Sequence, residues 1–257
     1  MRRAVAAFVA LLVAGCAAGP DLPAVPAYDA EGLARLRYQA VIIGGDASIN
    51  AFDNAAERMA KDLLKANAIA PAGMHRYSAR PRRPPAILLA SVGNVLDGIA
   101  ALKPVAGQGC LVFATAHGAQ EKGLYFPANG ADPILDPERL DRALVAGCGI
   151  APTVVVLSGC YSGHYLRPPM TRANRIILTA ARADRPSFGC GAGNVFTEFD
   201  DCLLNAIEAA AAPLTESFAA AKQCVSARER QQNVAPSEPQ SWVGPAVASL
   251  RLPWRAP

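Results

Sequence analysis

No Cys-x-x-Cys pair and no His-x-x-x-His pair occurs in the 257 residues, and only three histidines are present, so a structural zinc site is not expected. Long hydrophobic runs are also missing: the leading one, residues 4–14, is too short to cross a bilayer. Charge of one sign is scarce. The 25 basic residues stand against 21 acidic ones, and losing Arg2 and Arg3 with a cleaved leader lowers the formal charge from +4 to +2. So small a net charge gives no field for gathering nucleic acid. The one basic cluster, residues 80–85 (RPRRPP), is interrupted by proline and is expected as a solvated loop. Internal repeats and a mid-chain linker are absent too, so the roughly 240 mature residues are expected to form one domain.

What is present begins at the amino terminus. Met1-Arg2-Arg3, a short apolar core and Leu12-Val13-Ala14-Gly15-Cys16 have the order of a secretion signal. The Leu-x-Ala-Gly-Cys ending resembles a bacterial lipobox. That resemblance implies a signal peptide over residues 1–15, cleavage before Cys16, lipidation of its thiol and a membrane anchor. It also implies a place in the cell envelope facing the periplasm. Ala17 rather than Asp at the next position points to the inner membrane less than to the outer. Residues 16–36, rich in Pro and Ala, are expected as a tether, with the domain over residues 37–257.

Along the domain, short β-branched runs alternate with helical periods. Residues 38–44 (YQAVIIG), 110–116 (CLVFATA), 153–157 (TVVVL) and 175–180 (RIILTA) are expected as buried strands. Phe52, Ala56, Met59, Leu63 and Ala66 recur at spacings of three and four, which predicts a helix with a solvated charged face. Ser91 and Asp136-Pro137-Glu138 predict two helix starts, residues 202–211 and 218–230 two later helices, and residues 242–247 an edge strand. A small hairpin arm is expected at residues 123–126. This rhythm indicates an α/β fold with a mostly parallel sheet covered by helices on both faces.

Six cysteines remain after Cys16. An exported chain oxidises thiols, and Cys110 and Cys148 both fall near the amino edge of the sheet, so they are expected to pair. A second bridge is expected among Cys190, Cys202 and Cys224. With Cys160 kept free, at least one further thiol is left over.

Two strands end in chemistry. The run at 110–116 stops at His117-Gly118, and the run at 153–157 stops at Ser158-Gly159-Cys160-Tyr161-Ser162-Gly163. The carboxyl edge of an open α/β sheet is where reacting groups gather. A thiol and an imidazole delivered there suggest a cysteine nucleophile with a histidine acid/base. His164 is a rival base in the same loop, and His75 is expected to be exposed. A serine nucleophile at Ser162 does not fit, because the nucleophile elbow needs serine midway between glycines and that position is Tyr161. Ser162 is expected to support the turn instead.

The ordered set of His117-Gly118, Cys160-Tyr161-Ser162-Gly163, Thr179-Ala180-Ala181 and Ser187-Phe188-Gly189-Cys190 resembles the legumain-type cysteine peptidases. That resemblance, over residues 38–202, implies a caspase-like three-layer sandwich and a peptide or protein substrate, without a cofactor. It implies Cys160 as nucleophile, His117 as acid/base, and the amides of Gly118 and Cys160 as the oxyanion site. Glycine follows the histidine because a ligand must approach the main chain closely. Asn50 is the match for the group that orients the histidine. The substrate pocket departs from the family: Ser158 replaces its acid and Phe52 its arginine, while Ser187 is kept and Asp184 could supply a carboxylate. Three alternatives therefore stand beside hydrolysis. They are transpeptidation, a non-catalytic lipoprotein that binds an envelope partner, and a zymogen covered by the arm before Tyr38 or by residues 235–257.

Overall fold

Apolar runs dense in Val, Ile and Leu become the inner strands of one sheet, and the amphipathic runs between them become helices on its two faces. The structure, a computed structural model, describes residues 23–128, 132–191, 193–209 and 212–252. The leader, Cys16, the start of the tether and the last five residues lie outside these. In chain order the elements are α1 (Ala30–Ala34), β1 (Arg37–Gly44), α2 (Asn50–Lys65), β2 (Met74–Ser78) and β3 (Ile87–Leu89). There follow α3 (Val92–Ala100), β4 (Gln108–Thr115), β5 (His117–Ala119), β6 (Gly123–Tyr125), β7 (Ile134–Leu135) and α4 (Pro137–Cys148). The last are β8 (Thr153–Ser158), β9 (Arg175–Thr179), α5 (Glu198–Ala209), α6 (Leu214–Gln232) and β10 (Gln240–Val243).

The main sheet has the order β10-β9-β8-β4-β1-β2-β3, parallel throughout except for β10. Alternation along the strands divides the core. Ala40, Ile42, Leu111, Phe113, Val154 and Val156 pack under α2, α5 and α6, while Val41, Ile43, Val112, Ala114, Val155 and Leu157 pack under α3 and α4. The result is the expected three-layer α/β architecture. Side-chain caps start α3, where Asn94 N–H donates to Ser91 Oγ (3.3 Å), and α4, where Arg139 N–H donates to Asp136 Oδ1 (2.8 Å).

Three features differ from the sequence expectations. β2 and β3 extend the sheet beyond β1, and His75 is a half-buried residue of β2 rather than an exposed loop residue. The polar sequence of β2 (MHRYS) and the three-residue length of β3 suit the sheet's outer flank, where one side has few partners. The final strand is Gln240–Val243, two residues earlier than expected, and the next residues turn into a short 3-10 segment. Packing also begins before residue 37. Leu33 and Leu36 are buried, and Tyr28 Oη donates to Ile150 O at 2.6 Å, so part of the expected tether lies against the amino edge of the sheet.

Disulfides join Cys110 to Cys148 and Cys202 to Cys224, leaving Cys160 and Cys190 free among the described residues. The first bridge ties β4 to the end of α4, and the second ties α5 to α6.

Candidate active site

Strand register positions the two chemical groups. Thr115 of β4 pairs with Ser158 of β8 as the last aligned residues, and His117 and Cys160 each follow two residues later. Equal extensions past one row bring imidazole and thiol to the same edge of neighbouring strands. The backbones there are in close contact: a Cβ added to Gly118 would lie 1.8 Å from Cys160 O. Only glycine allows this approach; the constraint comes from the Cys160 carbonyl of the neighbouring loop, where the sequence suggested room for a ligand.

His117 and Gly118 are also the first strand of a three-stranded antiparallel arm, β5-β6-β7, in which His117 pairs with Tyr125 and Gly118 with Leu124. Tyr165 locks this arm to the cysteine loop, its hydroxyl accepting from Leu124 N–H (2.9 Å) and donating to Leu135 O. The loop itself is tied to β9 by Gly163 N–H donating to Ala181 O (2.8 Å) and Ala181 N–H donating to Ser162 Oγ (3.2 Å). Ser162 is thus a buried structural hydroxyl.

The Cys160 sulfur is half-buried. It accepts from Ser187 N–H at 3.3 Å and lies 3.6 Å from Ser187 O, within reach of a thiol donor. An amide aimed at sulfur stabilises a thiolate. The Cys160 N–H donates to no backbone carbonyl among the described residues, which leaves it open to an oxyanion. His117 Nε2 lies 3.3 Å from Ser48 Oγ, and the Phe52 ring stands edge-on to the imidazole at 5.1 Å between centroids. Ser48, rather than Asn50, is therefore the polar neighbour of the imidazole; Asn50 Oδ1 accepts from Arg80 at 2.9 Å. The one-turn geometry at the start of α2 separates the two, because Asn50 is already helical while Ser48 is in the preceding loop.

The expected pocket residues are dispersed. Ser187 contacts the Cys160 sulfur through its backbone, Ser158 is buried under the sheet edge, and Asp184 faces solvent. Hydrogen bonding from Arg182 holds the Asp184 carboxyl down at about 2. His164 points to Arg167, 3.4 Å away, and burial followed by that guanidinium's charge lowers its pKa.

Two further groups belong to this region, Asp200, which no sequence signal singled out, and Cys190, which was expected as a disulfide candidate. Asp200, in the first turn of α5, is fully buried, and its Oδ2 accepts from the Thr115 hydroxyl at 2.7 Å. Burial pushes its carboxyl up to about 6, against the opposing pull of the Thr115, Ser158 and Thr197 hydroxyls. The second free thiol, Cys190, is pushed up to about 12 by burial and then by negative charge at Cys160, Asp200 and Asp46. No group of three or more His, Cys, Asp and Glu suited to a metal ion is found among the described residues.

The profile of the Peptidase C13 family matches residues 97–249, a segment that holds both His117 and Cys160. This chain belongs to the Peptidase C13 family. The match confirms the legumain-type resemblance and supports a function of the cysteine-peptidase type. Among solved structures, caspase-1 from Spodoptera frugiperda is similar in fold, with a TM-score of 0.59 over 82% of this chain and 87% of that one. At 12% identity the likeness carries the caspase-like fold alone. A search of curated proteins finds no match.

Proposed function

We propose that this C13 chain hydrolyses peptide bonds with Cys160 as nucleophile and His117 as general acid and base, as a lipoprotein held in a bacterial envelope by a lipid on Cys16. The observation that carries the dyad is the shared register: two neighbouring parallel strands extend equally past Thr115 and Ser158 to an imidazole and a thiol. The family's cysteine-peptidase character supports the same chemistry.

The steps follow from that geometry. The Cys160 thiolate attacks the substrate carbonyl carbon, and the oxygen takes up negative charge beside the Gly118 and Cys160 amides. His117 gives its proton to the departing amine nitrogen as the C–N bond breaks, leaving a thioester. Water then loses a proton to His117 and attacks the thioester, and the Cys160 thiolate leaves. An amine in place of water would complete a transpeptidation. Ser48 fixes the imidazole by a hydrogen bond and Phe52 by its ring edge.

The test is cleavage of a diverse peptide library by the wild type, Cys160→Ala and His117→Ala, with and without an added amine nucleophile. Each variant is expected to lose about 1,000-fold or more in kcat/KM. Undiminished cleavage by Cys160→Ala overturns the mechanism. For the anchor, Cys16→Ala is expected to move the protein from the membrane fraction, outer membrane foremost, to the soluble periplasmic fraction; unchanged membrane partition rejects it.

A further inference from the structure

Acidic side chains lie beside the dyad, and among the described residues no cation pairs with them. Gly44 of β1 aligns with Thr115 and Ser158, and two residues on come Asp46, His117 and Cys160. A carboxylate thus holds on β1 the place that imidazole and thiol hold on the next two strands. Asp46 is only 4% exposed, and its Oδ1 accepts from Ser48 N–H at 2.7 Å. Below it, the fully buried Asp200 has Oδ1 without any hydrogen-bond partner. Neither carboxylate is ion-paired among the described residues. Four nearby arginines are committed elsewhere: Arg80 to Asp53, Arg58 and Arg228 to Asp201, and Arg182 to Asp184. Burial raises the pKa of the Cys190 thiol and charge at Cys160, Asp200 and Asp46 adds to that, in keeping with the register that sets Asp46 level with Cys160.

A cavity of about 330 Å³ opens next to this group, between the start of α2 and Gly191, Gly193, Asn194 and Val195. Ser48, Asn50, Asn54 and Asn194 are among its walls, and no charged side chain lines it among the described residues. Ser48 joins the cavity to both catalytic and acidic groups, with Oγ 3.3 Å from His117 Nε2 and N–H on Asp46. A carboxylate therefore waits one hydrogen bond behind a wall that touches the imidazole. Buried charge without a counter-ion is costly, and it persists where a ligand supplies the opposite sign.

We propose that this cleft takes a cationic side chain, lysine or arginine, immediately before the scissile bond, with Asp46 and Asp200 selecting it. The proposal rests on the cysteine-peptidase function above. Asp46, held behind Ser48, and Asp200, sealed beneath the Thr115 hydroxyl, both act on such a cation by their field through a low-dielectric interior.

Five fluorogenic peptides test it, identical except for Arg, Lys, Asn, Asp or Ala before the cleaved bond, assayed on the full chain. For the wild type, kcat/KM is expected to be about 100-fold higher for Arg and Lys than for the other three. In Asp46→Asn the Arg-to-Ala ratio is expected to fall about 10-fold, chiefly through KM, and in Asp200→Asn by a smaller factor. A wild-type profile led by Asn, Asp or Ala overturns the proposal and leaves the cysteine peptidase standing, as does an Arg-to-Ala ratio unchanged in both variants. Where turnover is slow, peptidyl ketones ending in Arg or Asn give the same ranking by their rates of labelling Cys160. Neither cleavage nor labelling by any probe overturns the peptidase function and the proposal together.

Discussion

Asp200→Asn should make the protein more stable at neutral pH and leave its stability nearly unchanged in acid. The carboxyl is fully buried, titrates at about 6 because of that burial, and has one oxygen without a partner. In the unfolded chain it titrates near 3.8. Between these values the folded state holds a proton that the unfolded state has released, so stability from this group falls as pH rises from about 4 to 6 and is level above that. The displacement corresponds to about 3 kcal/mol lost by pH 7. Asparagine does not titrate, but its amide satisfies the Thr115 hydroxyl, which donates to Oδ2 at 2.7 Å, less completely, at about 1 kcal/mol if that bond is lost. The net expectation is a gain of about 1–3 kcal/mol at pH 7.5 and none at pH 4. Thermal melts at both pH values read this as a midpoint rise of roughly 2–4 °C per kcal/mol at the higher pH only. A difference independent of pH, or a variant less stable at pH 7.5 than at pH 4 relative to wild type, would refute the reasoning and show the charge to be compensated.

Other perturbations follow from the same geometry. Gly118→Ala drives a methyl into Cys160 O and should lower kcat/KM about 100-fold, with about 1–3 kcal/mol of stability lost, read by peptide turnover and melts. Asp141→Ala leaves the buried Arg175 guanidinium, 2.6 Å from Asp141 Oδ1, without its counter-ion, and should cost about 3–5 kcal/mol in chemical denaturation. Replacing Cys110 and Cys148 by Ala opens a cross-link spanning 38 residues and should cost up to about 4 kcal/mol by loop entropy, with the dyad's activity retained in the surviving folded fraction.

Much of this was legible in the sequence for a physical reason: strands buried on both faces must be apolar throughout. β1, β4, β8 and β9 stand out as Val-, Ile- and Leu-rich runs, and their ends mark His117 and Cys160. The Cys110–Cys148 bridge was legible because both positions could be set against the strands' amino ends. β2 and β3 were not: β2 (MHRYS) carries polar residues and loses the apolar signature, and β3, though apolar (ILL), is only three residues long. Asp200 stands in an acidic first turn with Glu198 and Asp201, where sequence suggests a solvated helix start; only the packing of α5 under Thr115 and Ser158 reveals its burial. Ser48 and Asn50 differ by two positions in an irregular loop, and no periodicity tells which one meets His117.

The account depends most on acyl transfer to Cys160. Rapid acid quenching of the wild type with an excess of a peptide ester, followed by intact-mass analysis and peptide mapping, measures this directly. One acyl group on Cys160, absent from Cys160→Ala and accumulating far more slowly in His117→Ala, is the predicted result. Substrate turnover with no adduct on Cys160, or an adduct mapped to another residue, would contradict it.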